Sequence, residues 1–182
     1  MKAWTNTELS YGSVAVLLHW AMAALLLLLL AMGVYMVGLP EVGFDREKIT
    51  LILVHKALGL LALVAVLLRM AWRSGNPMPE LAAGLPDWQQ LSARVVHLLF
   101  YALMLALPVT GWLMSSAGGY PVSFFGVFEL PDFVAVNQRN FQIWIVVHRW
   151  LGYALALLIV AHAGAALHHA WVRRDDTLRR ML

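Results

Sequence analysis

The sequence predicts an all-α fold, an integral-membrane four-helix bundle occupying residues 1–182 as one domain. Three observations carry that expectation. The chain is 62% hydrophobic and only 13% charged, whereas soluble domains run near roughly a quarter charged. No Asp, Glu, Lys or Arg occurs between Glu8 and Glu41, between Arg94 and Glu129, or between Arg149 and Arg173. Each gap can hold an apolar helix of about 20 residues, the length that crosses a bilayer. Finally, His19, His55, His148 and His162 stand inside stretches apolar enough to need lipid, and ionisable groups at that depth require partners.

The spans are expected near Val14–Val37, Ile49–Trp72, Ala93–Met114 and Ile143–Trp171. The first exceeds the apolar run of about 7–15 residues in a signal peptide and has no obvious cleavage site, so it counts as a span. The second carries Lys56 and Arg69. All four are too long for barrel strands and do not alternate in polarity, which leaves helices. Trp72, Trp112, Trp144 and Trp171 fall near the expected ends, where indoles anchor to the interface. Asn76-Pro77-Met78-Pro79 and Gly118-Gly119-Tyr120-Pro121 punctuate two of the loops. The connection from about Ser115 to Gln142 is long enough to cap one face.

Charge gives an orientation. One side collects Lys2, Arg69, Arg73, Arg94, Arg173, Arg174, Arg179 and Arg180, and the other holds Arg46, Lys48, Lys56, Arg139 and Arg149. The positive-inside rule puts both termini and the Arg73–Ser92 loop in the cytoplasm. The net charge of +3 is modest and clusters at span ends, which speaks for topology and against nucleic-acid binding. There is no cysteine. Disulfides, thiolate-held iron–sulfur clusters and covalent c-type haem are thereby excluded, and any haem must be held by His or Met.

Imidazole suits a metal centre shared between helices. His148 and His162 are fourteen residues apart on one helix, about 21 Å along its axis and within about 40° of the same face. Val54-His55-Lys56-Ala57-Leu58-Gly59 is echoed by Val147-His148-Arg149-Trp150-Leu151-Gly152. Gly59 and Gly152 each lie one turn beyond a histidine, where a missing side chain would admit a flat macrocycle; the alternative is close helix packing. Arg69 follows His55 at the same fourteen-residue distance, and it can pair with a haem propionate or snorkel to headgroups. By depth, His55 pairs with His148 in an outer layer. In an inner layer His162 pairs with either His19 or His97. His168 and His169 are expected at the interface among arginines.

Leu18-His19-Trp20, His55-Lys56-Ala57-Leu58-Gly59, Leu107-Pro108-Val109-Thr110-Gly111, His148 to His162, His168-His169 and Asp176-Thr177-Leu178-Arg179-Arg180-Met181 together resemble the bacterial cytochrome b561 family. The resemblance runs over nearly the whole chain. It implies two b-type haems (haem b) held by His55 with His148 and by His19 with His162, all four ligating haem iron. His97 is then left for a quinone pocket or an inner propionate. It also implies inner-membrane electron transfer with ubiquinone, and in some members oxidation of superoxide. Lys56 and Arg149 directly follow the outer ligands; they could steer the superoxide anion or neutralise propionates. A haem-bearing anchor subunit relaying electrons from a dehydrogenase or hydrogenase to quinone is the alternative function. A histidine-lined metal transporter would in addition call for Asp or Glu along its path, and the spans have none.

Overall fold

The computed structural model describes residues 3–39, 45–80 and 84–182. Lys2 and Glu41, used above for charge, lie outside the described residues. Four described helices are long and apolar enough to cross a membrane: α1 Ser13–Gly38, α2 Arg46–Ser74, α3 Asp87–Ala117 and α4 Gln138–His168, the last continuing through a π-helical turn, His169–Arg173. The first three contain the expected spans, and α4 does so together with its π-helical turn. Their ends run further because backbone hydrogen bonding does not stop where hydrophobicity does. The Asp45 carboxylate caps α2 by accepting from Glu47 N at 2.9 Å and Lys48 N at 3.2 Å. Asn137 caps α4 by accepting from Asn140 N at 3.0 Å. Such caps supply partners that the first turn of a helix lacks.

Packing runs in chain order, α1 on α2, α2 on α3 and α3 on α4. The buried cluster is small: Met22, Leu26, Val66, Met104 and Leu155. Leu155 lies seven residues from both His148 and His162, so the cluster fills the middle of the bundle between two histidine levels. Leu17, Leu98, Leu157 and Val160 are exposed in mid-helix. In water such surface would be untenable, and lipid is its natural solvent.

One departure from the all-α expectation lies in the long connection. Strands β1 Val122–Phe124 and β2 Phe128–Leu130 form an antiparallel hairpin, with Phe124 opposite Phe128. Phe125 (φ 50°) and Gly126 (φ 77°) make its turn, with the positive φ values that suit the strand twist. Three-residue strands are too short to show alternation in sequence. The hairpin packs on α2 and α3 through β1. Ser115 Oγ donates to the Tyr120 carbonyl, and Phe133 N donates to Ser116 Oγ at 3.2 Å. Trp112, expected as a membrane anchor, donates its Nε1–H to Pro131 O at 3.1 Å and lies 4.0 Å from the Phe133 ring. It ties the cap down.

The opposite end of the bundle gathers both termini and the α2–α3 loop. Buried Asn6 donates to Pro77 O at 3.1 Å, Trp20 Nε1 to Met181 O at 2.6 Å, and Arg180 to the Glu80 carbonyl. His169 is engaged there too, 2.6 Å from the Asp175 carboxylate. Partial burial would raise the Asp175 carboxyl, but hydrogen bonds from His169 and Thr177 prevail and hold it down at about 2.

Candidate functional site: two levels of paired histidines

The imidazoles meet in two groups. At the hairpin end, His55 on α2 faces His148 on α4 with ring centres 6.3 Å apart. At the end holding the termini, His19 on α1 faces His162 on α4, also at 6.3 Å. Both pairs reach across the bundle to α4, from α1 and from α2. His97 on α3 joins the second group, 5.8 Å from His162. Phe100 closes on the same ring edge-on at 5.2 Å. Among the described residues no cluster of three or more His, Cys, Asp or Glu has metal-holding geometry. The first group is a pair, and the second is a pair with His97 beside it.

Residues 10–182 match the family described as prokaryotic cytochrome b561. The chain belongs to that family. It is 33% identical over 180 residues to "Cytochrome b561 homolog 2" of Escherichia coli (strain K12), covering 99% of this chain and 95% of the relative. It is 33% identical over 131 residues to "Cytochrome b561 homolog 1" of the same organism, covering 70% and 72%. A protein of Yersinia pestis named "Probable superoxide oxidase CybB" is 26% identical over 175 residues, covering 94% and 95%. Family membership makes the chain a multi-pass membrane cytochrome of electron transfer, and it implies a b-type haem.

The residues present fit that group. Two imidazoles gripping one metal atom from opposite sides, each through a nitrogen roughly 2 Å away, have ring centres about 6 Å apart. Both cross-bundle pairs have that separation. A Cβ added to Gly59 or Gly152 meets nothing within 4 Å, so the helix face beside His55 and beside His148 is open.

Other glycines approach the imidazoles directly. A Cβ on Gly33 would lie 3.8 Å from His55 Cε1, and one on Gly111 would lie 3.3 Å from His148 Cε1. These positions expose a repeat that motif reading missed. Gly33 follows His19, and Gly111 follows His97, by the same fourteen residues that separate His55 from Arg69 and His148 from His162. The chain is thus two α-hairpins, α1–α2 and α3–α4, with equivalent points His19/His97, Gly33/Gly111, His55/His148 and Arg69/His162. The recurring interval was the available signal. It is faint because the flanks of His19 and His97 differ.

The charged candidates are placed as follows. Arg69 turns inward and is half-buried, its Nη2 3.1 Å from His19 Nδ1. Lys56 is also half-buried, and its ammonium reaches the carbonyls of Tyr120 at 3.4 Å and Pro121 at 3.3 Å, holding the start of the cap. Arg149, its equivalent in the repeat, is exposed.

Proposed function

We propose that the protein carries electrons through a bacterial inner membrane by way of two b-type haems, oxidising superoxide on the outer side and reducing ubiquinone within the bilayer. His55 and His148 hold one haem near the outer face. His19 and His162 hold the other near the cytoplasmic face, where the excess of Lys and Arg places both termini. The observation that carries this is the pair of equal imidazole separations, 6.3 Å at each level, divided by a buried apolar cluster. Held by two histidines, a haem would supply one-electron exchange rather than oxygen binding.

The chain's own residues do the rest. Met22, Leu26, Val66, Met104 and Leu155 exclude water between the two levels. Arg69 has donors only, so while it bonds His19 Nδ1 that nitrogen must be an acceptor. Were His19 to hold haem iron through Nε2, its proton would sit on Nδ1, and the Arg69 guanidinium would be free to pair with a haem propionate. Superoxide as the donor is supported by the likeness to the Yersinia pestis protein of that name and by Arg149 and Lys56 beside the outer ligands.

The test is an optical spectrum of purified protein with a pyridine haemochrome assay. Two b-type haems per chain are expected. One haem removes a level, and protein without a Soret band, made with ample porphyrin supply, overturns the proposal.

A further inference from the structure

Ligation leaves one motif unexplained, Leu107-Pro108-Val109-Thr110-Gly111 on α3. It ends against His148. Thr110 Oγ1 lies 2.9 Å from the Leu107 carbonyl oxygen and 3.1 Å from His148 Nδ1. A threonine hydroxyl has one proton, and the carbonyl can only accept. Once that proton is given to Leu107, Thr110 presents lone pairs to the imidazole, and His148 must be the donor. In that arrangement its proton sits on Nδ1, and Nε2 keeps its lone pair. Thr110 is only 7% exposed, so bulk water does not compete for the contact. Gly111 eases the approach, since a Cβ there would stand in ordinary contact with the same Nδ1 at 3.6 Å and tightly against Cε1 at 3.3 Å.

The other half of the repeat lacks this device. Met32 precedes Gly33 where Thr110 precedes Gly111. A thioether is a weak acceptor, and His55 Nδ1 is buried without a hydrogen-bond partner among the described residues. The two members of one pair therefore stand in different surroundings.

We propose that Thr110 is a positioning residue that fixes His148 as the Nδ1–H tautomer, aims its Nε2 at the haem iron, and makes His148 a stronger donor than His55. This rests on the assignment of His55 and His148 as an axial pair. A hydrogen bond accepted from Nδ1–H raises the basicity of the ligating nitrogen, and a more basic ligand favours oxidised iron. Thr110 thereby lowers the potential of this level alone.

The experiment is redox titration of the haem-loaded protein, with electron paramagnetic resonance of its oxidised form. Thr110→Val keeps the shape and removes the hydroxyl, whereas Thr110→Ser keeps the hydroxyl. In Thr110→Val both haems should stay, one potential should rise by about a tenfold change in its reduction equilibrium (~59 mV for one electron), and its resonance should shift. The second potential should not move, and Thr110→Ser should match wild type. Unchanged potentials and resonances in Thr110→Val overturn the proposal. If Thr110→Val sheds one haem, Thr110→Ser must keep both at wild-type potentials, and a serine variant that sheds one as well overturns it. Failure of the axial assignment looks different: His148→Ala would then keep both haems.

Discussion

The α1–α2 and α3–α4 hairpins carry one pattern and differ at one point of it. Each has a histidine, a glycine fourteen residues on, a histidine at the start of the returning helix, and a fourth group fourteen residues beyond that. The fourth group is Arg69 in the first hairpin and His162 in the second. Had it been histidine twice, the inner level would hold four imidazoles, enough for two pairs. With arginine in one half it holds His19, His97 and His162, so at most one pair forms and a ring is left over. The outer level has no such surplus. A single exchange within the repeat thus makes one level a plain pair and the other a pair joined by a cation and a spare imidazole.

Replacing the histidines breaks the comparison most sharply. His55→Ala and His148→Ala should each lose one haem per chain and leave the other level intact, as should His162→Ala. Of the two rings facing His162, His19 is the proposed ligand, so His19→Ala should lose one haem and His97→Ala should keep both. Stoichiometry by pyridine haemochrome checks each variant. Full haem in His19→Ala with loss in His97→Ala would transfer the inner ligand to α3. The ring distances alone, 6.3 Å to His19 and 5.8 Å to His97, do not separate them.

A smaller effect is expected where the halves differ. Arg69→Gln removes the cation beside His19 while keeping a polar side chain of similar reach. A positive charge near a haem favours its reduced form, so the inner potential should fall by about a tenfold change in equilibrium, ~59 mV for one electron. The outer potential should stay in place, and redox titration resolves the two. A fall at both levels, or at neither, would detach Arg69 from the inner site.

Much of this was legible before any coordinates, for reasons particular to lipid. Charges are costly in a bilayer, so their absence over long gaps marks α1, α3 and α4. The helix ends were less visible. α3 begins at Asp87, and Asp87 to Ser92 is a polar turn and a half that no hydropathy pattern reports. The same logic singles out the half-buried histidines of the spans, because nothing else in an apolar run needs explaining so much. What could not be read was contact across the bundle. Gly59 and Gly152 stand out beside the echoed motif, yet the glycines that approach the imidazoles are Gly33 and Gly111 on neighbouring helices. For Lys56 the sequence offers only steering of superoxide or pairing with propionates, and its engagement of the Tyr120 and Pro121 carbonyls depends on a connection whose strands are three residues each.

That engagement yields the finest comparison, between Lys56 and Arg149 at equivalent positions. If superoxide is drawn to the outer level by charge, both cations add to the field, but they have different second tasks. The Lys56 ammonium also holds the Tyr120 and Pro121 carbonyls, whereas Arg149 is exposed. Arg149→Gln should therefore slow haem reduction by superoxide a few-fold at low salt and leave thermal stability unchanged. The deficit should fade towards about 0.15 M salt, where screening reaches roughly 8 Å. Lys56→Gln should show a similar kinetic loss together with a lower melting temperature, because the cap loses a charged donor. Stopped-flow reduction across a salt series, paired with thermal melts, separates the two roles. Rates and salt slopes equal to wild type in both variants would remove steering, and a drop in stability for Lys56→Gln alone would leave that lysine as a clasp.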